Sequence, residues 1–159
     1  DVIALNSGTT NTVLAQELSA LNKRITVVTN NLAAGNLLMP NSSIRLFLVG
    51  GQVDAAERST YGAACEAEFA MYHPDIAFLS INAVNYRDGF TDFRFNEMGI
   101  IKLLAGTAKK VIAVMDSSKL GQCSKKNVLA PEQVDLLVMD DHVPDEVRKE
   151  YLEKGIQIL

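Results

Sequence analysis

Residues 2–11 read Val2-Ile3-Ala4-Leu5-Asn6-Ser7-Gly8-Thr9-Thr10-Asn11. Val2 to Leu5 is a short, continuously apolar run, the composition of a strand covered on both faces in a parallel sheet. Gly8 then permits a tight turn, and serine and threonine hydroxyls stand ahead of Leu14, Leu18 and Leu21, which at i, i+4 and i+7 share one helix face. Strand, glycine turn and helix together open an α/β unit. Such a turn offers backbone N–H groups, hydroxyls and a helix N-terminus to a phosphate. The same residue types also cap ordinary helices, so at this point both readings stand.

The pattern recurs along the chain. Further β-branched or apolar runs are Ile25 to Val28, Ile44 to Val49, Ile76 to Ile81, Val111 to Met115, Leu136 to Met139 and Ile156 to Leu159. Runs of this kind need cover on both sides, so the expected fold is α/β, a three-layer sandwich with a mainly parallel sheet between helices. Ile100, Leu104 and Ala108 mark one further helix, and Pro144, Asp145 and Glu146 open another that Lys154 and Gly155 close. Neither a linker nor an internal repeat interrupts the rhythm, so residues 1–159 read as one domain. The longest irregular stretches, Gln52 to Thr60 and Asn82 to Arg94, read as loops that could carry ligand contacts.

Composition narrows the function. With 48% hydrophobic and 21% charged residues the chain can build a core, and no apolar run approaches the roughly 18 residues of a membrane-spanning helix. Fifteen Lys and Arg against nineteen Asp and Glu give a net charge of −4, with no basic tract that could follow a phosphate backbone, so this stretch should not grip DNA by itself. The sequence starts at Asp1 without a leader and reads as a piece of something longer or processed. Cys65 and Cys123 form no CxxC and fit two reduced thiols in a cytoplasmic protein. His73 and His142 stand alone, without zinc-ligand spacing, and neither metal nor cofactor is expected.

In open α/β sheets ligands bind beyond the carboxyl ends of the strands. The candidates are therefore Asn6, Ser7, Gly8, Thr9 and Thr10 after the first run, Thr29, Asn30 and Asn31 after the second, and Gly50 and Gly51 after the third. Asn82 follows the fourth run, and Asp116 and Lys119 follow the fifth. Lys119 could neutralise a ligand phosphate, pair with Asp116 or simply be solvated. Gly50 and Gly51 could equally form a plain turn.

In this order the motifs resemble the C-terminal effector domain of the DeoR (deoxyribose-repressor) family of bacterial transcriptional regulators. The resemblance rests on Ser7 to Thr10, Thr29 with Asn30, Gly50 with Gly51, Thr60 with Gly62, and Asp75 with Ala77 and Phe78. Asp88, Gly89 and Thr91, then Glu97, then Asp116 to Lys119 continue it. It implies a sensor fold similar to ribose-5-phosphate isomerase and glucosamine-6-phosphate deaminase, a phosphorylated sugar or sugar derivative as effector, and oligomeric repressors. It also implies an N-terminal winged helix-turn-helix, absent from this chain, as the part that meets operator DNA. Asn6 stands where the family commonly carries Asp, and Asn82-Ala83-Val84-Asn85 stands where it commonly carries a glycine-bearing turn.

Isomerisation of a sugar needs a base beside the carbonyl. The asparagines after the fourth run can hydrogen-bond a hydroxyl but cannot take its proton near neutral pH. The reading is a sensor without catalytic residues. A sugar-phosphate isomerase or deaminase-like enzyme is the alternative, with Glu97, Asp88 and Asp116 as its candidate carboxylates. Phe90, Phe93 and Phe95 are available to a self-association interface or to the core.

Overall fold

Six of the seven apolar runs become the strands of one parallel sheet. The computed structural model describes all 159 residues. The sheet contains β1 (Val2–Leu5), β2 (Ile25–Thr29), β3 (Ile44–Leu48), β6 (Ile76–Ser80), β9 (Lys110–Val114) and β11 (Leu136–Val138), in the spatial order β11-β9-β6-β1-β2-β3. Between them come β4 (Gln52–Asp54), β5 (Ser59–Tyr61), β7 (Ala83–Asn85), β8 (Gly89–Asp92) and β10 (Lys126–Leu129). The helices are α1 (Thr9–Ser19), α2 (Leu32–Leu38), α3 (Ala63–Phe69), α4 (Phe95–Thr107) and α5 (Asp145–Glu153). The chain starts at the centre, builds outward from β1 to β3, then crosses back to β6. The two halves therefore diverge between β1 and β6, the topological switch point where such sheets bind ligands.

Alternation along each strand splits the core in two. Ile3, Leu5 and Val27 pack with Ala15, Leu18, Ala34 and Leu38 of α1 and α2. Ala4, Val28, Ala77 and Leu79 face the opposite way, toward Phe69, Ile100, Leu104 and Tyr151 of α3, α4 and α5. Each central strand is thus apolar on both faces, as its continuous sequence pattern requires. No helix is long and apolar enough to cross a membrane.

Three expectations are corrected. Ile156 to Leu159 makes no strand; Ile158 forms a single parallel bridge with Leu137, secured by the Leu137 N–H on the Gln157 carbonyl and the Leu159 N–H on the Leu137 carbonyl, both 2.8 Å. Leu21 is not on the buried face of α1 but 42% exposed, because the helix stops at Ser19. There the Asn41 amide donates to the Ser19 and Leu21 carbonyls at 2.9 and 3.0 Å, taking up orphan acceptors of the helix end. Both long irregular stretches are antiparallel hairpins, β4–β5 and β7–β8, the second extended by β10 into a three-stranded sheet. Of the three phenylalanines left open between core and interface, Phe90 is fully buried in the core, and Phe93 and Phe95 are exposed.

Candidate functional site

β1 and β6, the strands flanking the switch point, are pinned together at their ends by Asn6. Its amide donates to the Ser80 carbonyl at 3.0 Å and its Oδ1 accepts from the Ser80 N–H at 2.7 Å and from Asn11 at 2.8 Å. An amide can donate and accept at once, which an ionised carboxylate cannot, so Asn suits this place where the resemblance leads one to expect Asp. Gly8 follows with φ +130°. A Cβ there would fall 2.7 Å from the Ser80 Cβ, so only glycine lets the turn lie this close to β6. α1 begins at once, and no side chain caps it.

The opening above these strand ends is a cleft of about 200 Å³. Gly8, Thr9 and Thr10 form one wall and Ser80, Ile81 and Asn82 the next. Met115, Asp116 and Lys119 close it beyond β9, and Phe93, Arg94 and Glu57, the last from the β4–β5 turn, close the remaining side. Arg94 organises the floor. Its guanidinium forks onto Asp92 through Nε–Oδ1 at 3.0 Å and Nη2–Oδ2 at 2.8 Å, and also donates to the Ser7 and Ser80 carbonyls at 3.0 and 2.8 Å. Glu57 lies 3.9 Å away. Burial lowers the Arg94 pKa, but the Asp92 hydrogen bonds and charge outweigh it and hold the pKa above the ordinary value. Lys119 makes no ion pair, because Asp116 instead accepts from the N–H and hydroxyl of Ser118.

Residues 1–141 match the family model described as the DeoR C terminal sensor domain. The chain belongs to the DeoR family. Among curated relatives of this DeoR sensor domain, the HTH-type transcriptional regulator GolR of Listeria innocua is 29% identical over 98% of the chain and 61% of its own length. The glycerol-3-phosphate regulon repressor of Escherichia coli is 26% identical over 97% of the chain and, again, 61% of its own length. The chain thus spans about three fifths of these relatives. Ribose 5 phosphate isomerase A of Neisseria gonorrhoeae superposes with a TM-score of 0.51 at 16% identity, covering 75% of this chain and 45% of that one, a likeness of fold.

Of the residues singled out from sequence, Gly8, Thr9, Thr10, Asn82, Asp116 and Lys119 of the DeoR domain line the cleft. Asn6, Ser7, Thr29, Asn30 and Asn31 are buried beneath it. Thr29 donates to the Leu5 carbonyl at 2.8 Å, Asn31 caps α2 through Oδ1 on the Ala34 N–H at 3.0 Å, and Asn30 donates to the Thr60 carbonyl at 2.8 Å. Gly50 and Gly51 are exposed and away from the cleft; Gly51, at φ +150°, lets the backbone pass the Tyr61 carbonyl, which a Cβ would approach to 2.6 Å. Ser80, Ile81 and Met115 were not legible as cleft residues, whereas Glu57, Phe93 and Arg94 fall in the two irregular stretches expected to carry ligand contacts without having been singled out. Asp92, the last residue of β8, and Arg94, two positions on, were the available signal for the guanidinium floor. Asn85 and Asp88 bond each other in the β7–β8 turn, where the Asn85 Oδ1 also accepts from the Arg87 and Asp88 N–H groups.

The Cys65 thiol is not poised as a nucleophile, because burial pushes it up to about 11, and Cys123 is exposed. Asp140, Asp141 and His142 bring three donor atoms within 4.8 Å of one another in the turn after β11, outside the lining of the cleft.

Behind the turn, Glu97 accepts from the Ser7 N–H at 2.8 Å and faces the Asn30 amide at 3.3 Å. Burial raises its pKa, opposed by the Ser7 hydrogen bond and the Arg94 charge. The folded state therefore keeps a proton on Glu97 that the unfolded chain has already lost, and this group's contribution to stability falls as pH rises from the ordinary value of 4.5 through the raised one. Glu97→Gln removes that slope. Denaturant titrations from pH 4 upward should find wild type losing stability relative to Glu97→Gln as pH increases; parallel curves would mean that Glu97 titrates like an exposed carboxylate.

Proposed function

We propose that this DeoR sensor domain holds the phosphate of a phosphorylated sugar, or sugar derivative, at the N-terminal turn of α1 and binds it without converting it. The observation that carries the reading is the uncapped start of α1 facing the cleft beside Lys119, a cation with no protein partner. The first N–H groups of a helix lack intrahelical acceptors and sit at its positive end, so a phosphate there gains hydrogen bonds and charge together. Asn82, Glu57 and Asp116 line the remainder and supply donors and acceptors for hydroxyls. A relative named for glycerol-3-phosphate supports the ligand class.

Two features favour binding over catalysis. The Asp92 carboxylate is spent on Arg94 and the Asn82 N–H, and Glu97 is spent on the Ser7 N–H behind the cleft. Ligand occupancy would then bias how a DNA-reading part of the longer cytoplasmic protein engages its operator, a coupling of about 1 to 3 kcal/mol in typical allosteric proteins. Self-association belongs to the same proposal, with the exposed Phe95 as a contact.

A melting screen tests the ligand class. Hexose and pentose phosphates, each beside its parent sugar, are added to the domain. A phosphate at a hundred times its Kd should raise the melting point by about 5 to 10 °C, and its parent sugar should not. In deuterium oxide the bound ligand should keep its carbon-bound protons. Equal stabilisation by the parent sugars removes the phosphate from the account, and exchange at the carbon beside the carbonyl turns the domain into an isomerase.

A further inference from the structure

Two strands of the central sheet, β9 and β11, have a helix layer on one side only. On β6, β9 and β11, Ala77, Leu79, Val111, Ala113 and Leu137 point into the larger core. The alternate residues point the other way, and the register sets Phe78 beside Ile112, Ile112 beside Leu136, and Val114 beside Val138. On that side α1 and α2 pack over β1, β2 and β3, and α1 also reaches Phe78 of β6. Past α1 lies an open trough of about 510 Å³ that includes Val13, Phe78, Val114, Val138 and Met139. Val13 is 61% exposed there. Val114 is buried and Phe78, Val138 and Met139 are half-buried, so the floor is a partly covered apolar strip beside the exposed Val13, in the place where a three-layer fold carries a further helix.

The rim carries one sign of charge. Glu17, Asp116 and Asp140 line the trough and no Lys or Arg does. The Ser117 N–H, donating to Asp140 at 2.8 Å, keeps that carboxyl ionised well below the usual carboxylate range. An apolar floor between acidic rims complements an amphipathic helix with basic flanks. Relatives of this domain have about two fifths of their length beyond the part it matches.

We propose that the trough between α1 and the β9–β11 face docks an amphipathic helix with Lys or Arg along both flanks, supplied by the same polypeptide from the stretch by which the longer relatives exceed this chain. Thr9, Thr10, Met115 and Asp116 line both the trough and the cleft, so the docked helix shares a wall with whatever the cleft holds. The docking itself is independent of the cleft's ligand, and its test uses no sugar phosphate, so either reading can fail alone.

The probe is a fluorescent designed peptide of about 18 residues with leucine on one helical face and lysine on both flanks, titrated into the domain by anisotropy. A glutamate-flanked version should bind at least about tenfold more weakly, and Val13→Asp, an exposed position that leaves the fold intact, should weaken the lysine peptide as much. Glu17→Lys should weaken it too. Equal binding of both peptides, or indifference to Val13→Asp, overturns the docking site. A chain extended by its own additional stretch should no longer take up the peptide; undiminished uptake overturns the same-chain origin.

Discussion

Arg94→Met should lower the unfolding free energy by about 3 to 5 kcal/mol, measured by guanidinium chloride titration. The guanidinium side chain is 8% exposed and the Asp92 side chain 0%. Removing the cation leaves a buried carboxylate without its counter-charge and takes donors from the Ser7 and Ser80 carbonyls. The large cost comes from that stranded charge, since a buried pair gains little over an apolar substitute once desolvation is counted. Two further variants follow. Arg94→Lys should recover only part of the loss, because an ammonium cannot fork onto Asp92 while reaching two carbonyls. Arg94→Met with Asp92→Leu should be more stable than Arg94→Met alone. A loss below about 1 kcal/mol for Arg94→Met would place the pair among solvent-screened surface pairs and remove it as the floor of the cleft.

Gly8→Ala should cost about 2 to 4 kcal/mol, combining left-handed backbone strain with overpacking against β6. The residue sits at φ +130°, and the added carbon would meet the Ser80 Cβ at 2.7 Å and the Arg94 Nη1 at 3.3 Å. Ser80 cannot retreat easily, because Asn6 grips both its N–H and its carbonyl. Gly106→Ala is the contrast. That glycine lies inside α4 with nothing within 4 Å of an added Cβ, so alanine should gain up to about 1 kcal/mol of helix propensity. Chemical denaturation of the two variants should move them in opposite directions; a neutral Gly8→Ala would mean that the turn can shift away from β6.

The sheet was legible because its strands read as unbroken apolar runs, the composition of a parallel sheet flanked by helices. Gln52–Asp54 and Ser59–Tyr61 escaped because a three-residue hairpin strand has no periodicity to detect, and its turn is fixed by Asp54 accepting from the Ala56 and Glu57 N–H groups. Ile156 to Leu159 has strand composition, but its only ladder partner, β11, is three residues long. At the site, the Gly8-Thr9-Thr10 turn follows from local sequence. Asn30 and Asn31 do not: composition puts asparagines at a strand end without saying whether they face a ligand or, as here, a buried carbonyl and a helix N-terminus. Arg94 is the hardest case. An arginine in a loop reads as solvated, and only the tertiary fold brings it onto Ser7, 87 residues away in the chain.

The most direct test of the central claim is a pair of calorimetric titrations, a sugar phosphate and its parent sugar, on wild type and on Thr9→Val with Thr10→Val. Both threonines reach the cleft and neither is buried, so the variant should fold normally. Hydroxyl bonds to a charged group are worth about 1.5 to 3 kcal/mol each, so losing them should weaken the phosphate ligand at least about tenfold. The parent sugar should change by less than about twofold. Equal losses for both ligands, or none for either, would contradict a phosphate held at the start of α1.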